Sequence, residues 1–112
     1  MKAKNVILEN KTIFITGVAG FIGANLVIEL LKTVKPVRIV GVDNVNDYYD
    51  VAIKEYRLSE IEKVAVGQPE SEWVFIRGNI ADKDVIDGIF ADYKPDVVVN
   101  LAAQAGGALL YN

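Results

Sequence analysis

Thr16-Gly17-Val18-Ala19-Gly20-Phe21-Ile22-Gly23 constrains this chain more than any other stretch. The apolar run Ile13-Phe14-Ile15 leads into it, and the amphipathic run from Ala24 to Lys32 leads out. This is the pattern of a strand, a glycine turn and a helix. The glycines at 17, 20 and 23 are spaced G-x-x-G-x-x-G. In such a turn one glycine takes a backbone conformation that a Cβ obstructs. Another lets the main chain approach a pyrophosphate, and a third lets the helix pack against the strand. The first helical turn then directs unpaired N–H groups and the positive end of its dipole at an anion. A dinucleotide site is the expectation, although a glycine turn alone also serves a strand–helix junction without any ligand.

The rest of the chain repeats the same alternation. Lys11 to Thr16 reads as a buried strand and Phe21 to about Thr33 as a helix, with Ile22, Leu26, Leu30, Val27 and Leu31 at helical spacing. Pro36 stops that helix. Val37 to Val42 is a β-branched strand ending at Asp43, and Asn44 to Asp47 is a polar loop. Tyr48 to about Val66 reads as a helix with Tyr49, Ile53, Tyr56, Ile61 and Val64 on one face and Lys54, Glu55, Glu62 and Lys63 elsewhere. The aromatic group Tyr48, Tyr49 and Tyr56 is expected in the core. Trp73 to Ile76 forms the third strand and closes at Arg77-Gly78-Asn79. Ala81 or Asp82 opens a third helix to about Tyr93, with Val85, Ile86, Ile89 and Phe90 as its apolar face. Asp96 to Leu101 is the fourth strand.

Strands alternating with helices predict an α/β fold, a doubly wound parallel sheet with right-handed crossovers. Four strands are available, with spatial order 3-2-1-4 expected. Residues 11–112 form this half-domain; residues 1–10 form a tail or an edge segment. A hydrophobic fraction of 52% suits a sheet covered on both faces.

Asp43 lies 20 residues beyond Gly23 and ends the second strand, where a carboxylate accepts hydrogen bonds from an adenosine ribose. The alternative is a surface Asp starting a turn. A carboxylate there repels a ribose 2′-phosphate, and no Arg or Lys follows in the next ten residues. NAD is therefore favoured over its phosphorylated form. Asn79 and Ile80 end the third strand and are candidates for adenine, or equally for capping the next helix. Leu101, Ala102, Ala103 and Gln104 follow the fourth strand, where small residues let a cofactor lie across the sheet or simply pack a loop.

Other chemistry is restricted by what the sequence lacks. It has no Cys and no His, so no metal centre is expected. The net charge of −3 leaves no basic footprint for nucleic acid. No apolar run is long enough to span a bilayer, and a cytoplasmic protein is the default expectation. No Tyr has a Lys four positions on, and the only serines are Ser59 and Ser71. No residue of the chain is a catalytic candidate.

The motif from Thr16 to Gly23 resembles the fingerprint of the extended short-chain dehydrogenases, the NAD-dependent nucleotide-sugar epimerase/dehydratase family with its Rossmann-like fold. Asp43-Asn44-Val45-Asn46-Asp47-Tyr48-Tyr49-Asp50, Leu58 and Asn100 to Gly106 resemble the UDP-glucuronate 4-epimerases in particular. The resemblance runs from about Lys11 to Gly106. It implies that Gly17, Gly20, Phe21, Ile22 and Gly23 hold the NAD pyrophosphate and that Asp43 holds the adenosine ribose, with Asn44 and Asn46 nearby. It implies that Ala102, Ala103 and Gln104 run toward the nicotinamide ribose and the UDP-sugar, Gln104 meeting the substrate. At Asn79 the family usually has an acid, and after Gly106 an aromatic- and arginine-containing segment; this sequence departs at both places. The Tyr-x-x-x-Lys pair that serves the family as acid/base has no counterpart here. The chain thus reads as the N-terminal NAD-binding part of such a protein, excised or truncated, and catalytically incomplete. The alternatives are a non-catalytic dinucleotide-binding module and an inert remnant. The exposed edge or face of its short sheet leads to an expected homo-oligomer.

Overall fold

The computed structural model describes residues 7–45 and 51–102. Seven elements alternate: β1 (Thr12–Thr16), α1 (Phe21–Thr33), β2 (Arg38–Asp43), α2 (Val51–Val66), β3 (Glu72–Arg77), α3 (Lys83–Tyr93) and β4 (Val97–Asn100). All pairings are parallel, in the order β3-β2-β1-β4. The doubly wound Rossmann-like sheet expected from the sequence is what the chain forms, with the expected strand order. Successive β1 side chains point to opposite faces of the sheet. Ile13 and Ile15 face α1 and α2 with Val27, Leu31, Ile39 and Ile61. Phe14 faces α3 with Val40, Val42 and Ile89. Because both faces are covered, β1 is buried along its whole length, which explains its unbroken apolar run.

Several boundaries and faces differ from the sequence reading. Residues 8–11 form a turn in which the Lys11 N–H donates to the Leu8 carbonyl. Asn10 there has φ 67°, so this part is not a strand. Ile22, assigned to the apolar stripe of α1, is 67% exposed, because the buried stripe runs Gly23, Ala24, Val27, Leu31. Tyr56, expected in the core, is 63% exposed. Tyr48 and Tyr49 lie outside the described residues. The inward stripe of α2 is Lys54, Arg57, Leu58, Ile61, Val64 and Ala65, so Lys54 lies on the inner face rather than the outer one. Asp82 caps α3, its side chain accepting from the Asp84 N–H at 3.0 Å.

Candidate functional site

The carboxyl ends of the four strands meet at one edge of the sheet, the edge at which open parallel sheets take ligands. The main chain stitches these ends together. The Gly17 N–H donates to the Val42 carbonyl at 2.8 Å, the Gly78 N–H to the Asp43 carbonyl at 3.2 Å, and the Leu101 N–H to the Thr16 carbonyl at 3.3 Å.

Two glycines in the turn after β1 are required by geometry. Gly17 has φ +77°, and a Cβ on it would stand 2.9 Å from the Ala102 nitrogen. A side chain there would therefore push away the segment leaving β4. At Gly23 a Cβ would stand 2.1 Å from the Gly17 carbonyl oxygen, so α1 begins in contact with the loop that precedes it. Gly20 is the N-cap, extended, with no side-chain hydrogen bond to the helix. The first helical hydrogen bond runs from the Ala24 N–H to the Gly20 carbonyl. The N–H groups of Phe21, Ile22 and Gly23 thus precede the ladder. No acidic residue stands in this first turn. An uncapped helix start without negative charge favours an anion.

Asp43 is buried beside this loop rather than on the surface. Its Oδ2 accepts from the Ala19 N–H at 2.9 Å, and its Oδ1 from the Val45 N–H at 2.8 Å. Lys54 Nζ lies 3.3 Å from Oδ1. One turn along α2, Arg57 donates to the Ala19 carbonyl at 3.2 Å. Its guanidinium stands 5.9 Å from the centre of the Phe21 ring. The fully buried Ala19 is therefore held at both ends of its main chain, by Asp43 and by Arg57.

The other candidates occupy the same edge with different roles. Asn79 is exposed, and its Oδ1 accepts from the Ala81 N–H at 2.8 Å, closing its own turn. Capping of α3 falls to Asp82, the neighbour, and Ile80 packs against the Phe14 cluster. Leu101 and Ala102 follow β4, and their N–H groups donate to the Thr16 hydroxyl at 3.0 and 3.2 Å. The same hydroxyl donates to the Asn100 side chain. Asn44 is exposed just after Asp43. Asn46, Ala103 and Gln104 lie outside the described residues. Arg38 sits at the opposite end of β2, bonded to Thr12 and to the Tyr93 carbonyl, away from the glycine turn.

Three residues escaped the sequence reading: Thr16, Lys54 and Arg57. For the last two a signal existed, the stripe 54, 57, 58, 61, 64 and 65 with two cations at its start. Among the described residues no group of acids stands where it could hold a metal ion, and no helix is long and apolar enough to cross a membrane.

Residues 14–106 match the GDP-mannose 4,6 dehydratase family. Protein CapI of Staphylococcus aureus is 44% identical over 94 residues, covering 84% of this chain and 25% of that protein. UDP-glucuronate 4-epimerase of Thermodesulfobacterium geofontis is 41% identical over 92 residues, covering 82% of this chain and 26% of that one. Among solved structures, an epimerase from Methanothermobacter thermautotrophicus superimposes with TM-score 0.62 at 30% identity, over 87% of this chain and 24% of the other. UDP-glucose 4-epimerase of Bifidobacterium longum, solved with NAD+ and UDP, gives TM-score 0.61 at 28% identity, over 83% of this chain and 24% of its own. The chain thus spans about a quarter of the length of the relatives it matches.

Proposed function

The chain belongs to the GDP-mannose 4,6 dehydratase family, and on that premise we propose that it is the NAD-binding part of a nucleotide-sugar epimerase or dehydratase resembling a UDP-glucuronate 4-epimerase. The observation that carries the reading is the uncapped start of α1 placed directly beside the buried Asp43 carboxylate. The N–H groups of Phe21 and Ile22 suit a pyrophosphate; Gly17 and Gly23 let the loop close against the segment after β4 and against α1, and Gly20 leaves the helix start uncapped. Asp43, with Asn44 and Asn46 after it, takes the adenosine ribose. Asn79 offers its amide N–H groups and Ile80 an apolar flank for the adenine. Leu101, Ala102 and Ala103 line the way to the nicotinamide, and Gln104 meets the sugar.

NAD supplies a hydride acceptor, and then a donor, at a sugar carbon. The residues of this chain bind and orient; none of them is assigned the proton transfer, because no Tyr here has a Lys four positions on. A second reading is a dinucleotide-binding module without turnover of its own. Calorimetric titration of the 112-residue chain tests the common ground of both. NAD binds and NADP binds more weakly; equal affinities, or no binding of either, overturn the reading. Incubation of the same chain with UDP-glucuronate and NAD yields no UDP-galacturonate, and its appearance would restore catalysis to these residues.

A second copy of the chain is the proposed partner in assembly. Among the described residues β4 pairs with β1 alone, and Val98 on it is 51% exposed.

A further inference from the structure

The environment of Asp43 bears on which dinucleotide the site accepts, an inference that rests on the dinucleotide reading above. A carboxylate oxygen has about two acceptor positions. Oδ1 of Asp43 uses both, on the Val45 N–H and the Lys54 ammonium; Oδ2 uses one, on the Ala19 N–H. One position remains for a ribose hydroxyl. The Lys54 side chain is 17% exposed and that of Asp43 5%, so their interaction is only partly screened. Glu55, next to Lys54, is turned away to Arg77 at 2.9 Å and does not compete for the ammonium. Arg57 stands on the same face of α2 and adds a second positive charge beside the glycine turn. The repulsion that a bare Asp43 would exert on a 2′-phosphate is thus opposed from α2, eleven residues further along the chain.

We propose that Lys54 is a specificity-determining residue that acts through Asp43. Its charge lowers the barrier to a ribose 2′-phosphate, and its contact with Oδ1 fills a position that a ribose 2′-hydroxyl takes in NAD. Both effects narrow the preference for NAD over NADP. Removing the charge widens it, because Asp43 regains its full field and a free acceptor position.

The test is calorimetric titration of the 112-residue chain with NAD and with NADP, for wild type, Lys54→Met and Lys54→Arg. The ratio of the NADP to the NAD dissociation constant rises about tenfold in Lys54→Met, the scale of one partly screened charge contact. In Lys54→Arg, which keeps the charge, the ratio stays near that of wild type. A folded Lys54→Met that binds NAD with an unchanged ratio overturns the proposal. A Lys54→Arg variant that behaves like Lys54→Met also overturns it, since shape rather than charge would then be responsible. Lys54→Gln makes the same comparison if the Met variant fails to fold. Failure of wild type to bind either dinucleotide has a different meaning: it removes the dinucleotide reading itself, and this proposal with it.

Discussion

Gly23 shows how little room single residues have at the glycine turn. A methyl group there would overlap the Gly17 carbonyl oxygen; that oxygen is backbone and the Cβ is fixed by its own Cα, so neither can rotate away. Gly23→Ala should therefore destabilise the chain by about 2–4 kcal/mol, read as a lower urea midpoint. Asp43 carries weight of another kind. In Asp43→Ala the Ala19 N–H stays buried without its acceptor, and Lys54 loses its contact with the Asp43 carboxylate. The expected loss is about 3 kcal/mol, again by urea unfolding. Stability unchanged within 1 kcal/mol would mean that water or a neighbouring side chain replaces the carboxylate. The sequence exposed Asp43 because its place at the end of an apolar strand, in step with the glycines, is a local pattern. It did not expose Lys54 or Arg57, whose roles depend on how a helix eleven or more residues away lies across the turn. Thr16 was hidden for a similar reason, since its hydroxyl meets Asn100, Leu101 and Ala102 only when β4 returns beside β1.

At the scale of elements, hydrophobic periodicity located every strand and helix in the described residues but misassigned some faces. The inner face of α2 was drawn through Ile53 and Tyr56 because those residues are apolar. Its first turns instead cover a carboxylate and a main-chain carbonyl, so cations occupy the inner positions and Ile53 and Tyr56 face outward. Apolar pattern reports burial against a core and is blind to burial against a polar site. α1 deviates at Ile22 because its start faces the glycine turn rather than the sheet. α3 follows its predicted stripe at Val85, Ile86 and Ile89, whereas Phe90 is 44% exposed even though its ring meets Phe14 edge-to-face at 5.7 Å between ring centres. A glycine also interrupts this helix, Gly88, where a Cβ would meet nothing within 4 Å. Gly88→Ala should stabilise the chain by about 0.5–1 kcal/mol, through lower entropy of the unfolded chain and better helix propensity. A lower thermal midpoint in calorimetry would show that space at this position is needed after all.

At the scale of the whole molecule the two sides of the sheet end differently. At one edge β3 is a polar-ended strand, Glu72 to Arg77, whose Arg77 pairs with Glu55 of α2. At the other, β4 offers Val97, Val98 and Val99, with Val98 half exposed on the face that α3 shares with Phe14. An apolar edge with unpaired main-chain groups recruits another strand. A second copy of the chain is the proposed source of that strand, so light scattering at high micromolar concentration should report a dimer or a larger species. A charge on this edge opposes strand addition, the device by which natural sheets protect their edges. Val98→Lys should therefore raise the dissociation constant for self-association by at least about tenfold, equivalent to about 1.4 kcal/mol. Because Val98 is already half exposed, the same change should alter the unfolding free energy of the monomer by less than about 1 kcal/mol. That difference separates an edge contact from general instability: association falls while the monomer keeps its fold. Wild type that stays monomeric in this range, or Val98→Lys that associates as strongly as wild type, would show that β4 is not where copies of the chain meet.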